Sequence, residues 1–161
     1  MGIRYSACPV APADLELARA APLAYMNDHC PDAPWDDPSW TRSWLDLDKS
    51  WRDLQRLFVM PNQSPAEMGL DLVRGDVRYP RGVIHGYECH YEVLDPNQVE
   101  VVARHIARYD KADVLALYIA SGRLDDRLRG DVNYVGHYLA AAQEFTARQA
   151  EAGNGLVYRI G

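Results

Sequence analysis

The run Leu94–Asp110, LDPNQVEVVARHIARYD, constrains the fold more than any other part of the chain. Asp95 is a residue of the N-cap type. Pro96 follows at the first helical position, where its missing N–H is no loss, and Gln98 stands at the capping-box spacing. Val99, Val102, Ala103 and Ile106 recur with helical period, and Glu100 and Arg104 are spaced as an i,i+4 pair. An apolar stripe of this kind must be laid against something. Just before it, VIHGYECHYEVL alternates and is rich in aromatics, so part of it reads as a strand. The chain therefore changes from a period of two to a period of 3.6 at Asp95.

Both ends of the chain also alternate. Ile3, Tyr5 and Ala7 share one side of an N-terminal strand that Pro9 and Pro12 interrupt, and Leu156, Tyr158 and Ile160 share one side of a closing strand. Helical patterns fill the interval. PADLELARAA begins with Pro12 in its first turn and meets Pro22 near its end. KADVLALYIASG stops at Gly122. A long helix is expected from Asp131, as its cap, to about Ala152, with Gly153–Gly155 ending it. A short helix is expected from Pro65 to Leu70, and CPDAPWDDPS, with its prolines and aspartates, reads as a loop carrying Trp35.

In WLDLDKSWRDLQRLF, Trp51, Leu54 and Phe58 fall on one helical face. Trp40, Trp44 and Leu47 extend that face backwards, so one helix could run from Pro38. The alternative, which is preferred because Asp and Ser favour caps, starts the helix after Asp48 with Asp48 as N-cap. Strands at both ends and helices between them give an α+β fold. The expectation is one compact domain over residues 1–161, its small sheet holding both terminal strands and packed against several helices. Trp51, Leu54, Val99, Ile106, Leu139 and Phe145 are the expected core.

The length is that of a single domain, and 48% hydrophobic with 25% charged residues is ordinary for a globular chain. A net charge of −6 argues against nucleic acid as the main partner, since such binding rests on Lys and Arg neutralising phosphates. RGDVRYPRG is the nearest approach to a basic segment, and it contains an aspartate. The N-terminus lacks the basic start and apolar run of a secretory signal, and no stretch is long enough to span a bilayer. Gly2 is a myristoylation-type start with no second membrane signal beside it. The cytoplasm is the expected compartment. The cysteines, Cys8, Cys30 and Cys89, are scattered and odd in number, so no disulfide framework is expected; Cys8 and Cys30 read as small buried or half-buried residues.

Several blocks resemble, in order, the YfbM-like family, small bacterial proteins with a domain of unknown function. These are the opening MGIRYSACPV with PADLELA, the Leu47, Asp48, Lys49 and Trp51 block that matches the family's Leu-Asp-Lys-x-Trp helix start, YEVLDPNQVEVVARHIARYD, and YVGHYLAAAQEFTARQAEAGNGLVYRIG. The Asp-Lys-x-Trp block is the most specific. Where the family often has a Thr-Gly turn and a Leu- and Gly-rich segment, this chain has VMPNQSPAEMGLDLVRGD. The resemblance implies a compact α+β domain and no particular reaction.

Three clusters could carry chemistry. Asp46 and Asp48 form an Asp-x-Asp pair of the sort that holds a divalent cation; the plainer reading is a helix cap and an ion pair with Lys49 or an arginine. Glu88, His90 and Glu92 would share one face of a strand and could ligate a transition metal, although an exposed polar strand face explains them equally well. His85 or His90 beside Cys89 fails as a base–nucleophile pair, because the flanking glutamates would raise the thiol pKa. No Gly-x-Ser-x-Gly elbow is present, and GNG follows a helix where a phosphate cradle would precede one. Closed zinc sites need four ligands at recognisable spacings, which these cysteines and histidines lack, so neither metal nor other cofactor is expected.

Aromatic residues remain. Trp35, Trp40, Trp44, Tyr87, Tyr91, Tyr134 and Tyr138, with Asp46, could line a pocket or an interface, or could fill the core with polar tips at the surface. Two functional classes follow. One is a non-catalytic module that binds a protein or small ligand, of inhibitor or immunity type among others, as a monomer or weak homodimer. The other is a small metal-assisted enzyme using Asp46 and Asp48 or Glu88, His90 and Glu92. They differ in whether those carboxylates open onto a shared cavity or are occupied by arginines and caps.

Overall fold

A computed structural model describes residues 2–30, 44–59, 71–82 and 86–161. The strand predicted from the first residues is β1, Tyr5–Val10, and the closing strand is β4, Gly155–Ile160. They lie side by side and antiparallel, from Tyr5 opposite Ile160 to Val10 opposite Gly155. With β2 (Leu45–Asp48) and β3 (His90–Leu94) they form a four-stranded antiparallel sheet of order β2-β1-β4-β3. Pro9 does not end β1. Among the described residues β2 pairs with Tyr5–Ala7 only, and Pro9 has a described partner strand on the β4 side alone; a strand tolerates a proline where its missing N–H is not needed.

Six α-helices accompany the sheet among the described residues: α1 (Leu15–Ala20), α2 (Pro22–His29), α3 (Trp51–Phe58), α4 (Pro96–Ile106), α5 (Lys111–Ala120) and α6 (Leu128–Glu151). The helix expected over PADLELARAA is two pieces, a 3-10 turn at Pro12–Asp14 and α1, and a further helix that the sequence reading did not include, α2, begins at Pro22. Pro22 cannot continue α1, since it has no N–H to donate, but it suits the first position of α2. α4 starts as the sequence indicates: Asp95 accepts from the Gln98 N–H, and Gln98 returns the bond to the Asp95 N–H. Asp110 and Asp113 cap α5 in the same reciprocal way.

α6 begins three residues before the predicted cap. Asp131 lies inside its first turn and faces Arg123 at 3.7 Å, where a carboxylate favours the helix dipole without capping. Its end is a left-handed stop: Gly153 has φ +67°, its N–H donates to the Ala150 carbonyl, and the Asn154 N–H donates to the Gln149 carbonyl. The short helix expected at Pro65–Leu70, and the loop with Trp35, lie outside the described residues.

Both faces of the sheet are covered. Tyr5, Ala7, Leu45, Leu47, Leu156, Tyr158 and Ile160 face a core built with α3, α4, α5 and α6, and all six predicted core side chains are buried in it. On the other face Cys8, Val10 and Val157 pack against Ala18, Tyr25 and Met26 of α1 and α2. Cys8 and Cys30 are joined by a disulfide that ties β1 to the end of α2 across a Cα–Cα distance of 6.2 Å. This corrects the expectation of unpaired cysteines there. Spacing along the chain says nothing about which residues a helix turned back over a sheet will meet. Cys89 is the free thiol.

Candidate functional site

The block Asp46–Trp51 forms an elbow between β2 and α3. LDLD alternates as a strand should, with Leu45 and Leu47 buried and Asp46 and Asp48 half-exposed. The reading in which this stretch continued a helix from Pro38 is therefore overturned at Leu45–Asp48. Asp48 then takes φ +45°, a left-handed conformation that Asp tolerates better than most residues, and the β1–β2 register shifts between Tyr5 and Ser6. The Ser50 N–H and Oγ both donate to the Leu47 carbonyl, at 3.0 and 2.6 Å. Trp51 is 1% exposed and donates from Nε1 to the Ile3 carbonyl, while Arg52 covers its ring.

Asp48 is not the cap of α3. Ser50 holds that position, without a side-chain cap bond. The Asp48 carboxylate turns the other way, accepting from Tyr134 Oη at 2.7 Å and facing Arg4 Nε at 3.3 Å. Asp46 Oδ1 accepts from the Asp48 N–H at 2.6 Å, and its other oxygen lies 3.9 Å from Arg4. The Lys49 N–H reaches Tyr134 Oη at 3.4 Å. The ion-pair partner of both aspartates is thus Arg4, which the sequence did not single out; its lone cationic place in an alternating strand was the only signal. The rings of Tyr134 and Tyr138, one turn apart on α6, meet edge to face at 5.0 Å. Burial raises the pKa of Asp46, with the Asp48 charge adding to it, while the Asp48 N–H and Arg4 act against the shift. Burial and then the Asp48 and Asp46 charges raise that of Tyr138.

The structure therefore brings together Asp46, Asp48, Lys49, Trp51, Tyr134 and Tyr138. Trp44 stands one residue before β2, half-buried. Tyr91 does not join them: it lies half-buried with the small core on the opposite face of the sheet. Tyr87 is exposed and pairs with Tyr79. Trp35, Trp40 and His85 lie outside the described residues.

The Glu88, His90 and Glu92 set is split. The Glu88 backbone is bridged to Arg78, whereas Glu92 accepts a 2.7 Å bond from Tyr158 Oη and faces His90 at 3.6 Å. His90 and Glu92 are half-buried, and do not form the exposed polar face considered above, because β3 pairs Glu92 with Tyr158, whose ring faces the main core. A further acid–imidazole contact had no sequence signal: His105, fully buried on α4, lies 3.9 Å from Asp71 and 3.1 Å from the Phe58 carbonyl. Among the described residues no group of three or more His, Cys, Asp or Glu side chains is placed to hold a metal ion, and no helix is long and apolar enough to cross a membrane.

A family model described as a domain of unknown function, DUF1877, matches residues 1–158. No curated protein and no solved structure gives a match to the chain.

Proposed function

The chain belongs to the DUF1877 family of domains of unknown function, and we propose that it is a bacterial, YfbM-like member acting as a non-catalytic module that binds a protein partner through the surface around Tyr134 and Tyr138. The observation that carries this reading is the occupancy of the Asp-x-Asp carboxylates. A metal-assisted enzyme needs those oxygens open to a cation and substrate. Here the Asp48 N–H and the Tyr134 hydroxyl each donate to one oxygen, of Asp46 and Asp48 respectively, and Arg4 faces the other two as an ion pair at 3.9 and 3.3 Å. The same bonds fix the Tyr134 ring, which is 39% exposed, against Tyr138. A tyrosine held in one orientation with an open face suits a contact residue, because little freedom is lost on binding.

The test compares the wild-type chain with Tyr134→Ala/Tyr138→Ala in affinity capture from an extract, with a divalent-cation melting series alongside. The reading expects a protein retained by the wild type and lost from the variant. A melting temperature raised by Mg²⁺, Mn²⁺ or Zn²⁺, with the effect abolished in Asp46→Asn, would put the metal-assisted enzyme first. We also place the protein in the cytoplasm, where a Cys8–Cys30 disulfide has to form against a reducing poise. Alkylation of thiols in intact cells decides this point: an oxidised pair would move the protein to an oxidising compartment.

A further inference from the structure

The run Leu72–Val77 is neither helix nor strand, yet Leu72, Val73 and Val77 are buried. Side chains from three elements hold its backbone. Tyr5 Oη of β1 donates to the Leu72 carbonyl at 3.0 Å, Gln55 Nε2 of α3 donates to the Gly75 carbonyl at 2.9 Å, and the Arg74 N–H donates to Tyr158 Oη of β4 at 3.1 Å. This strap passes directly against His90. Gly75 has φ +81°, and a Cβ added there would collide with the imidazole at Nε2. We infer that His90 is a proton-operated latch on the strap: its imidazolium form takes Glu92 and fastens Leu72–Val77 across the core, and its neutral form lets the strap loosen. The device is independent of the Tyr134 surface.

His90 Nε2 is buried without a hydrogen-bond partner, 3.6 Å from Glu92 Oε2. A neutral imidazole leaves that nitrogen unsatisfied, whereas an imidazolium meets a carboxylate there in a charge-assisted contact. Both residues are on β3, so the pair outlasts an opening of the strap, but water then reaches it and weakens it. Glu92 Oε2 also accepts from Tyr158 Oη at 2.7 Å, and the same hydroxyl lies 3.3 Å from the Arg74 carbonyl. A hydroxyl has one proton to donate. Glu92 holds it while His90 is neutral; once the imidazolium shares Glu92, the proton can turn to the Arg74 carbonyl and add a bond to the strap. Burial, and then the bond to Glu92, raises the Tyr158 pKa, so the hydroxyl keeps its proton throughout.

Glu92 is the carboxylate within 4 Å of the imidazole among the described residues. On the strap Arg74 opposes a second positive charge, but it acts on Asp71 as well, and Asp76 is paired with Arg52 of α3. Glu88 and Arg78, of opposite sign, stand exposed at the bridge beyond it. Tyr5 of β1 is kept neutral by burial, and Arg159 of β4 lies by Tyr91 on the other face of the sheet. The closed strap therefore favours the imidazolium. It is firmest at the acid end and loosens as pH rises through the imidazole range of about 5 to 8.

The test is amide hydrogen exchange of the full chain at about pH 5.5 and about pH 8, read as protection relative to the unstructured rate at each pH. The variants are His90→Gln and Glu92→Gln, which remove one charge each and keep a polar side chain. Protection in α6 reports that each variant is folded, and either variant alone decides the matter. The expected result is protection of the Leu72–Val77 amides about fivefold or more greater at the acid end in the wild type, with α6 unchanged, and no such difference in either variant. Equal strap protection at the two pH values in the wild type, or greater protection at the alkaline end, would overturn the inference. So would an acid-end gain that persists in His90→Gln, since it would then belong to another group, such as His105 against Asp71.

Discussion

Tyr134 Oη donates to Asp48 Oδ2 at 2.7 Å, joining residues 86 positions apart. The bond ties the first half of α6 to the elbow that ends β2. A hydrogen bond to a charged group stabilises more than a neutral one, but this one is at the surface and shares Asp48 with Arg4. Tyr134→Phe should therefore cost about 1 kcal/mol, read from the midpoint of urea unfolding with the slope unchanged.

Asp48→Asn separates the present geometry from a capping role. Asn caps helices about as well as Asp, so a cap would leave stability unchanged. Here the substitution removes the charge facing Arg4 and weakens the acceptor for Tyr134, and a loss of about 0.5–1 kcal/mol is expected. In a double-mutant cycle with Tyr134→Phe the two losses should fall short of additivity, because both act on one bond. Full additivity would mean that the contact contributes nothing in solution.

Asp46 gives a pH signature. Its folded pKa is raised, chiefly by burial, so the folded state holds the proton more tightly than the unfolded chain. The unfolded state then binds fewer protons between the two pKa values, and stability falls as pH rises through that window. Asp46→Asn removes this group from the titration. The wild-type stability relative to Asp46→Asn should be greatest at the acid end, decline as pH rises above the ordinary carboxylate value, and level off beyond the raised pKa. Denaturant curves over that range check it; the opposite slope would place the Arg4 contact above desolvation.

The Cys8–Cys30 disulfide closes a loop of sequence separation 22. A loop of that size is worth about 3 kcal/mol in the chain-entropy account. Cys8→Ser/Cys30→Ser should lose roughly that much, with hydrogen exchange rising first in α2, whose small core is separate from the main one. Thiol titration of the unreduced, unfolded chain should find the Cys89 thiol alone.

What was legible in the sequence was local. The reciprocal Asp95 and Gln98 bonds, the glycine stop at Gly153 and the apolar stripes through Val99 and Phe145 each depend on residues within a few positions. β2 was not seen, because four alternating residues are too few to outweigh the tryptophans that extend a helical face through them. Asp48 looks like a cap for the same reason: its neighbours suggest a helix start, whereas its carboxylate answers to Arg4 and Tyr134. The Tyr134, Tyr138 and Asp46 cluster was named as part of a longer aromatic set, and only the fold could separate it from Tyr87 and Tyr91. The disulfide needed the turn at Pro22, which brings Cys30 back over β1.

The strand order carries a consequence for how the chain is made. β4 lies between β1 and β3 and pairs with both along its length. During synthesis β1, β2 and β3 emerge from the ribosome before β4, and nothing joins β1 to β3 within the sheet until β4 arrives between them. The sheet can close only by recruiting its first strand and its latest at once, a pairing of very high sequence separation. Until then the apolar sides of β1 and α6 are both on the chain and lack the strand that unites them, and this interval is when the nascent protein has most need of a chaperone.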